Sequence, residues 1–463
     1  MPELMNISAG KKFFSFSSVW FKTIAVAVWL GVIASCIIFL EQLEFNPLWD
    51  TKITRHDLAL YGSITFSGFT LFYFLVQALL AVFYRPSPTI AEDKLPFVTV
   101  IIPAYNEGKQ ICETIHSVMR SDYPADKFEV IAINDGSGDD TWEWMQSAAG
   151  QYPDRVTALN HTLNSGKKHA LCTGIDKAAG EIIVTIDSDS EIVPDALRKI
   201  VSPFADPKVG AVAGNVRVMN LREGCIPKML DTAFAFGFEF MRAAQSQIHS
   251  VLCTPGALSA YRTSAIRPLI PWWLNQTFLG CPASIGEDRA ITSMLIRSGW
   301  YSDFQSNAFV FTRMPVTYSG VFKMLTRWCR SDIRENLIML NFAFFNLRHF
   351  RFRQLGLQLN VLFASISIIL PLFTIPALLL AIISVPFEAC LLLATGNILW
   401  STVPAFIYAS RYGLKNAHWA LVYGFYYLPF LSWIGVYSVL TVRNTSWITR
   451  QLPGDKQISA PQK

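Results

Sequence analysis

The hydrophobic positions change their period twice along the chain. At the N-terminal end they are nearly continuous: Trp20 to Leu40 is interrupted only by Lys22, and Leu58 to Tyr84 contains no charge. Each stretch is long enough to cross ~30 Å of hydrocarbon. From Phe97 onward the apolar runs shorten and alternate with turn residues. "FVTVIIPAYNE" is a β-rich run broken by Pro103, "EVIAINDGSGDD" a second strand, and "EIIVTIDSDS" a third, with helical stretches such as Gly108 to Arg120 between them. Strands alternating with helices predict a mostly parallel sheet covered on both faces. Beyond Arg348, Arg351 and Arg353 the continuous pattern resumes at Leu357–Ser384, Phe387–Ser410 and His418–Val442.

Charge orients these stretches. Lys11, Lys12 and Lys22 accompany the first, whereas the link to the second carries Glu41, Glu44, Asp50 and Asp57 against Lys52 and Arg55. The positive-inside rule then places the N-terminus and the central region in the cytoplasm. A second span so close to the first does not suit a cleavable signal peptide. Arg411 and Lys415 precede the last stretch and Arg443 and Arg450 follow it, so this segment, broken by Pro429, is expected to be re-entrant or interfacial. Four full crossings plus this segment are expected, and a fifth or sixth stays open.

The expected organisation is a membrane region at 1–84, an α/β catalytic domain at 85–315, interfacial amphipathic helices at 316–356, a second membrane region at 357–442 and a cytosolic loop and tail at 443–463. Composition agrees: of 463 residues 52% are hydrophobic and 16% charged, too apolar for a typical soluble protein. Eight scattered cysteines without CxxC or Cys/His spacing argue against a zinc site or disulfide framework. The net charge of +5 is modest, and nucleic acid is not an expected partner; membrane lipid is.

In sheets of this kind ligands bind beyond the carboxyl ends of the strands, where Asn134–Asp135 and Asp187–Asp189 fall. Asp-Ser-Asp has two readings. It is a solvated turn, or it seats a hard divalent cation that shares its shell with a substrate diphosphate. Such a cation would stabilise the charge that develops on a departing diphosphate.

Further motifs extend this picture: "NDGS" at Asn134–Ser137, "NSGKKHA" at Asn164–Ala170, "RAAQS" at Arg242–Ser246, "NQTFLG" at Asn275–Gly280, "SIGED" at Ser284–Asp288, "TRWCRSDIRE" at Thr326–Glu335 and "TVRNTSWITR" at Thr441–Arg450. In this order, with Asp187–Asp189 among them, the chain resembles the membrane-integrated, processive family-2 glycosyltransferases, hyaluronan synthases most closely. The resemblance implies a GT-A-like, Rossmann-like domain between transmembrane helices. It also implies UDP-sugar donors, a growing polysaccharide and Mg2+ or Mn2+.

By the same resemblance Asp135, Lys167, Asp187, Arg327, Trp447, Thr449 and Arg450 would bind UDP, the last three on a loop closing over the nucleotide. Asp187 and Asp189 would hold the metal, with Asp189 the more direct ligand. Asp288 would be the general base and Trp328 the acceptor platform. Local chemistry also allows Asp288 to cap the helix near Arg289, Asp135 to form an Asx-turn and Lys167 a solvated surface. Two positions depart from the family: Met324 stands where a Gln is usual, and "CTPGALSAYR" at Cys253–Arg262 differs around the acceptor pocket. Both bear on which polymer is made. Chitin, poly-GlcNAc or another β-glycan is the alternative product, and a non-processive lipid-carrier transferase or a scaffold the alternative class.

Overall fold

Strands β1 (Val98–Ala104), β2 (Phe128–Asp135) and β4 (Ile182–Thr185) consist largely of branched residues and are buried along almost their whole length. Such runs suit strands covered on both faces. The side chains alternate as a pleated strand requires. Val100 and Ile102 join one core with Ile111, Ile115 and Met145 from the helices Gln110–Met119 and Thr141–Gln151. Ile101 and Ile133 join the opposite core with Leu171 and Ile175 of the helix Lys167–Lys177 and Ile291 and Leu295 of the helix Glu287–Arg297.

The computed structural model describes residues 55–345 and 352–444. The expected span Trp20–Leu40 lies outside them. With β3 (Val156–His161), β5 (Ser190–Ile192), β6 (Val209–Val218), β7 (Ser259–Arg262), a small hairpin β8–β9 (Thr277–Phe278 and Cys281–Pro282) and β10 (Tyr301–Thr312), the main sheet has the order β3-β2-β1-β4-β7-β6-β10-β5. The half from β3 to β4 is parallel, as expected. Strand β7 runs antiparallel to both β4 and β6, and β5 antiparallel to β10, so the sheet as a whole is mixed.

Pro103 does not end β1. Pairing with β2 continues through Pro103↔Ile133 to Ala104↔Asn134, while pairing with β4 stops at Ile101↔Thr185. A proline has no N–H to extend that second ladder. The chain after β4 is thereby released from β1, and a cleft opens at the strand ends.

The helix Arg55–Phe83 occupies the expected second apolar stretch. It is tied to the helix Phe352–Ile369 by Tyr73 Oη and Gln77 Nε2, which donate to Asn360 Oδ1 at 3.1 and 2.9 Å. Among the described residues, Arg353–Ser384 and Ala389–Tyr412 are long and apolar enough to cross a membrane. The first is interrupted at Leu370, just before Pro371. Leu414–Phe430 and Trp433–Leu440 meet at a 46° bend shortly after Pro429, the geometry of a broken span or re-entrant loop.

Candidate active site

The carboxyl end of β2 brings Asp135 to the cleft. Its Oδ1 accepts from Ser165 N at 3.1 Å, its Oδ2 from Gly166 N at 2.8 Å, and His161 Nδ1 lies 3.0 Å from Oδ1. Asp135 therefore holds the "NSG" loop that starts the helix Lys167–Lys177. Gly136 makes that approach possible: its φ is +70°, and a Cβ there would fall 2.5 Å from Asn164 N.

The Asp-Ser-Asp segment after β4 is a tight turn, closed by Ser190 N donating to Asp187 O at 3.1 Å. Ser188 is buried and pins the turn. Its hydroxyl donates to Glu107 Oε1 at 3.0 Å, and its carbonyl accepts from Thr114 Oγ1 at 2.8 Å. Asp187 and Asp189 both line the cleft. The turn reading and the ligand reading are thus compatible.

Lys167 bridges two acids, with Nζ 2.6 Å from Asp187 Oδ1 and 2.7 Å from Glu287 Oε1. Glu287 and Asp288 open the helix Glu287–Arg297 after Gly286, whose φ is +67°. A Cβ on Gly286 would meet Ser331 Cβ at 2.2 Å, so only glycine lets this loop reach the long helix Tyr318–Phe345. Asp288 is not the cap. Its Oδ1 accepts from Arg289 N at 2.7 Å and its Oδ2 from Gly256 N at 3.1 Å, which fixes the carboxylate at the cleft wall. Arg334 Nη2 donates to Ile285 O at 2.7 Å, and Arg289 Nη1 pairs with Asp332 Oδ1 at 3.0 Å. These contacts clamp the loop to the helix that carries Arg327 and Trp328. Trp328 lies 6.1 Å from the ring of Phe234.

One cleft of about 540 Å³ is lined by Asp135, Lys167, Asp187, Asp189 and Asp288 together with Arg327, Trp328, Phe234 and Met324. This is a volume suited to a ligand of nucleotide-sugar size. Among the described residues no group of three or more His, Cys, Asp or Glu side chains could hold a metal alone. Two carboxylates instead fit a cation that completes its shell with phosphate oxygens and water.

Residues 99–269 match the glycosyl transferase family 2 pattern. The central region is a family-2 glycosyltransferase domain. A hyaluronan synthase of Streptococcus pyogenes is 28% identical over 440 residues, 93% of this chain and 97% of the relative. An N-acetylglucosaminyltransferase of Rhizobium meliloti is 27% identical over 81% of this chain and 88% of its own length. Among solved structures, a mannosyltransferase from Pyrobaculum calidifontis in complex with GDP-Man and Mn2+ shares the fold. It has a TM-score of 0.57 and 24% identity, covering 80% of this chain and 97% of that one.

The electrostatics of this glycosyltransferase centre on Lys167. Burial works to lower its pKa, but Asp187 and Glu287 outweigh burial and hold it above its ordinary value. Burial also pushes Glu287 upward, yet Lys167 prevails and brings it down to about 2. Asp288 goes the other way: burial raises it, the Glu287 charge adds to this, and it stands at about 6. A carboxylate with that value accepts a proton only once deprotonated, so a reaction that uses it should slow as pH drops below about 6. In Glu287→Gln the neighbouring charge is gone, and the acid limb of sugar transfer should move to lower pH. An unmoved limb would separate the base from Glu287.

Eight of the residues singled out from sequence (Asp135, Lys167, Asp187, Asp189, Asp288, Arg327, Trp328 and Met324) meet in the cleft. Trp447, Thr449 and Arg450 lie outside the described residues. Sequence reasoning missed Glu287 as the partner of Lys167 and Gly256 as a donor to Asp288. The first was signalled by the paired acids of "GED", the second by the glycine of "CTPG".

Proposed function

We propose that the protein is a processive membrane glycosyltransferase that polymerises sugars from UDP-sugar donors and exports the polysaccharide through a path formed by its own membrane helices. In this reading the polymer is hyaluronan, made from UDP-GlcNAc and UDP-GlcA by a domain facing the cytosol. The observation that carries it is the placement of Asp288. A carboxylate with a raised pKa lines a strand-end cleft together with Asp187, Asp189 and the Arg327–Trp328 pair.

Asp135 uses three of about four acceptor positions on its own chain and His161, which leaves one for a uracil N–H. Asp187 and Asp189 would hold Mg2+ or Mn2+, whose oxygen-ligand preferences are alike. When bound, the ion supplies Lewis-acid stabilisation to the departing diphosphate. Arg327 offers a planar fork to the same diphosphate, and Trp328 an apolar face for the acceptor ring. Asp288 takes the proton from the acceptor hydroxyl as that oxygen attacks the anomeric carbon, inverting it. A polar chain cannot cross hydrocarbon unaided, so a protein-lined path follows from processivity.

A second reading, a GlcNAc homopolymer, is favoured by the N-acetylglucosaminyltransferase relatives, while Met324 and the "CTPG" wording depart from the hyaluronan synthase pattern around the acceptor. Membranes given UDP-GlcNAc, UDP-GlcA or both decide between them. Polymer is expected only with both donors, and it should be degraded by a hyaluronan-specific hydrolase. Polymer from UDP-GlcNAc alone would replace hyaluronan with the second reading. No turnover of any UDP-sugar would remove the class.

A further inference from the structure

Behind the acceptor side of the cleft lies a buried polar clasp that the chemistry above does not use. Arg217 on β6 pairs with Asp231 of the helix Cys225–Phe236 through two contacts, Nε–Oδ1 at 2.9 Å and Nη2–Oδ2 at 2.6 Å. The two residues are only 5% and 1% exposed. Two tyrosines one turn apart on the apolar helix Pro386–Tyr412 close over this pair. Tyr408 Oη donates to Asp231 Oδ2 at 2.8 Å, and the ring of Tyr412 is centred 3.4 Å from the Arg217 guanidinium. Tyr412 Oη in turn donates to Glu239 Oε1 at 2.6 Å, which also accepts from Asn215 Nδ2 at 2.7 Å.

The elements that carry the clasp also build the cleft. Glu239 sits on a π-helical turn, Gly237–Arg242, whose Gly237, Phe238 and Arg242 line the cleft. Such turns insert an extra residue and recur at functional sites. Along β6, Val216 lines the cleft while its neighbours Asn215 and Arg217 join the clasp, as strand alternation dictates. A buried ion pair is a weak source of net stability compared with apolar packing. Its geometry, by contrast, is exacting. Here that geometry sets where one apolar helix stands relative to the cleft wall.

We infer that Tyr408 and Tyr412 are positioning residues. They hold the helix Pro386–Tyr412 in register with the acceptor side of the cleft, so that the elongating chain stays engaged between successive transfers. The inference rests on the processive reading above and assigns it a device that governs product length, not the chemical step.

The test is Tyr408→Phe, Tyr412→Phe and the double variant, which keep the rings and remove the hydroxyls. In membranes with saturating donors, UDP release and the donor KM should stay within about twofold of wild type. Product length should fall about fivefold per hydroxyl removed, the equivalent of one ordinary hydrogen bond. Wild-type product length in the double variant overturns the inference. So does a fall in UDP release parallel to length, which would make the tyrosines part of the chemistry, or a loss of UDP affinity, which would make them general structural supports. A wild-type enzyme that adds single sugars and lets go would remove the processive reading itself, a result distinct from these.

Discussion

Asp189→Ala should lower sugar transfer by about 10²–10³-fold, the usual cost of removing one group that stabilises developing charge. The turn leaves little room for replacement. Asp187, the other cleft carboxylate of the turn, is already held by Lys167 at 2.6 Å, and the backbone is pinned through Ser188. Among the described residues no group of three or more His, Cys, Asp or Glu side chains could hold a metal, and the nearby Glu107 is engaged by Ser188. Asp189 Oδ1 accepts from Ser190 Oγ and Thr312 Oγ1, at 3.2 and 3.4 Å. The alanine variant should therefore fold and lose transfer at saturating donor. It should also lose the strengthening of UDP binding by added Mn2+. A variant that keeps both would move the diphosphate site elsewhere.

The strand-end chemistry was legible in the sequence because β1, β2 and β4 are buried on both faces and write themselves as continuous apolar runs ending in acids. Strand β6 was not. It is buried throughout, yet its Asn215 and Arg217 break the apolar pattern, since they serve the clasp and not the core. Strand β10 carries Asp303 and Gln305, which are likewise buried with polar partners, and β7 has only four residues. The mixed half of the sheet therefore left no periodic signal. In the site, motif order located Asp135, Asp187, Asp189 and Asp288, but not which of them are paired. Lys167 stands twenty residues from Asp187 and 120 from Glu287 in sequence, and only the packing of the helices Lys167–Lys177 and Glu287–Arg297 on one face of the sheet brings the three together. A helix in the region of Tyr318–Phe345 was expected from its amphipathic pattern. Its docking through Arg334 onto the Ile285 carbonyl was not, because a backbone acceptor has no sequence signature.

We propose that Asp288 takes the acceptor proton within this cleft, and Asp288→Asn isolates that role. The amide keeps the shape of the side chain, but its single oxygen can accept from only one of Gly256 N and Arg289 N, so its NH2 faces the other donor. It also relieves the repulsion from Glu287 and leaves in place the groups assigned to the nucleotide. What disappears is the capacity to accept a proton, worth about 10²–10⁴-fold in rate. UDP release and UDP affinity should be measured side by side on wild type and the Asn variant. Turnover should fall by about 10²–10⁴-fold with UDP affinity unchanged within about twofold. Turnover within about tenfold of wild type, or a matching collapse of UDP affinity, would contradict that role.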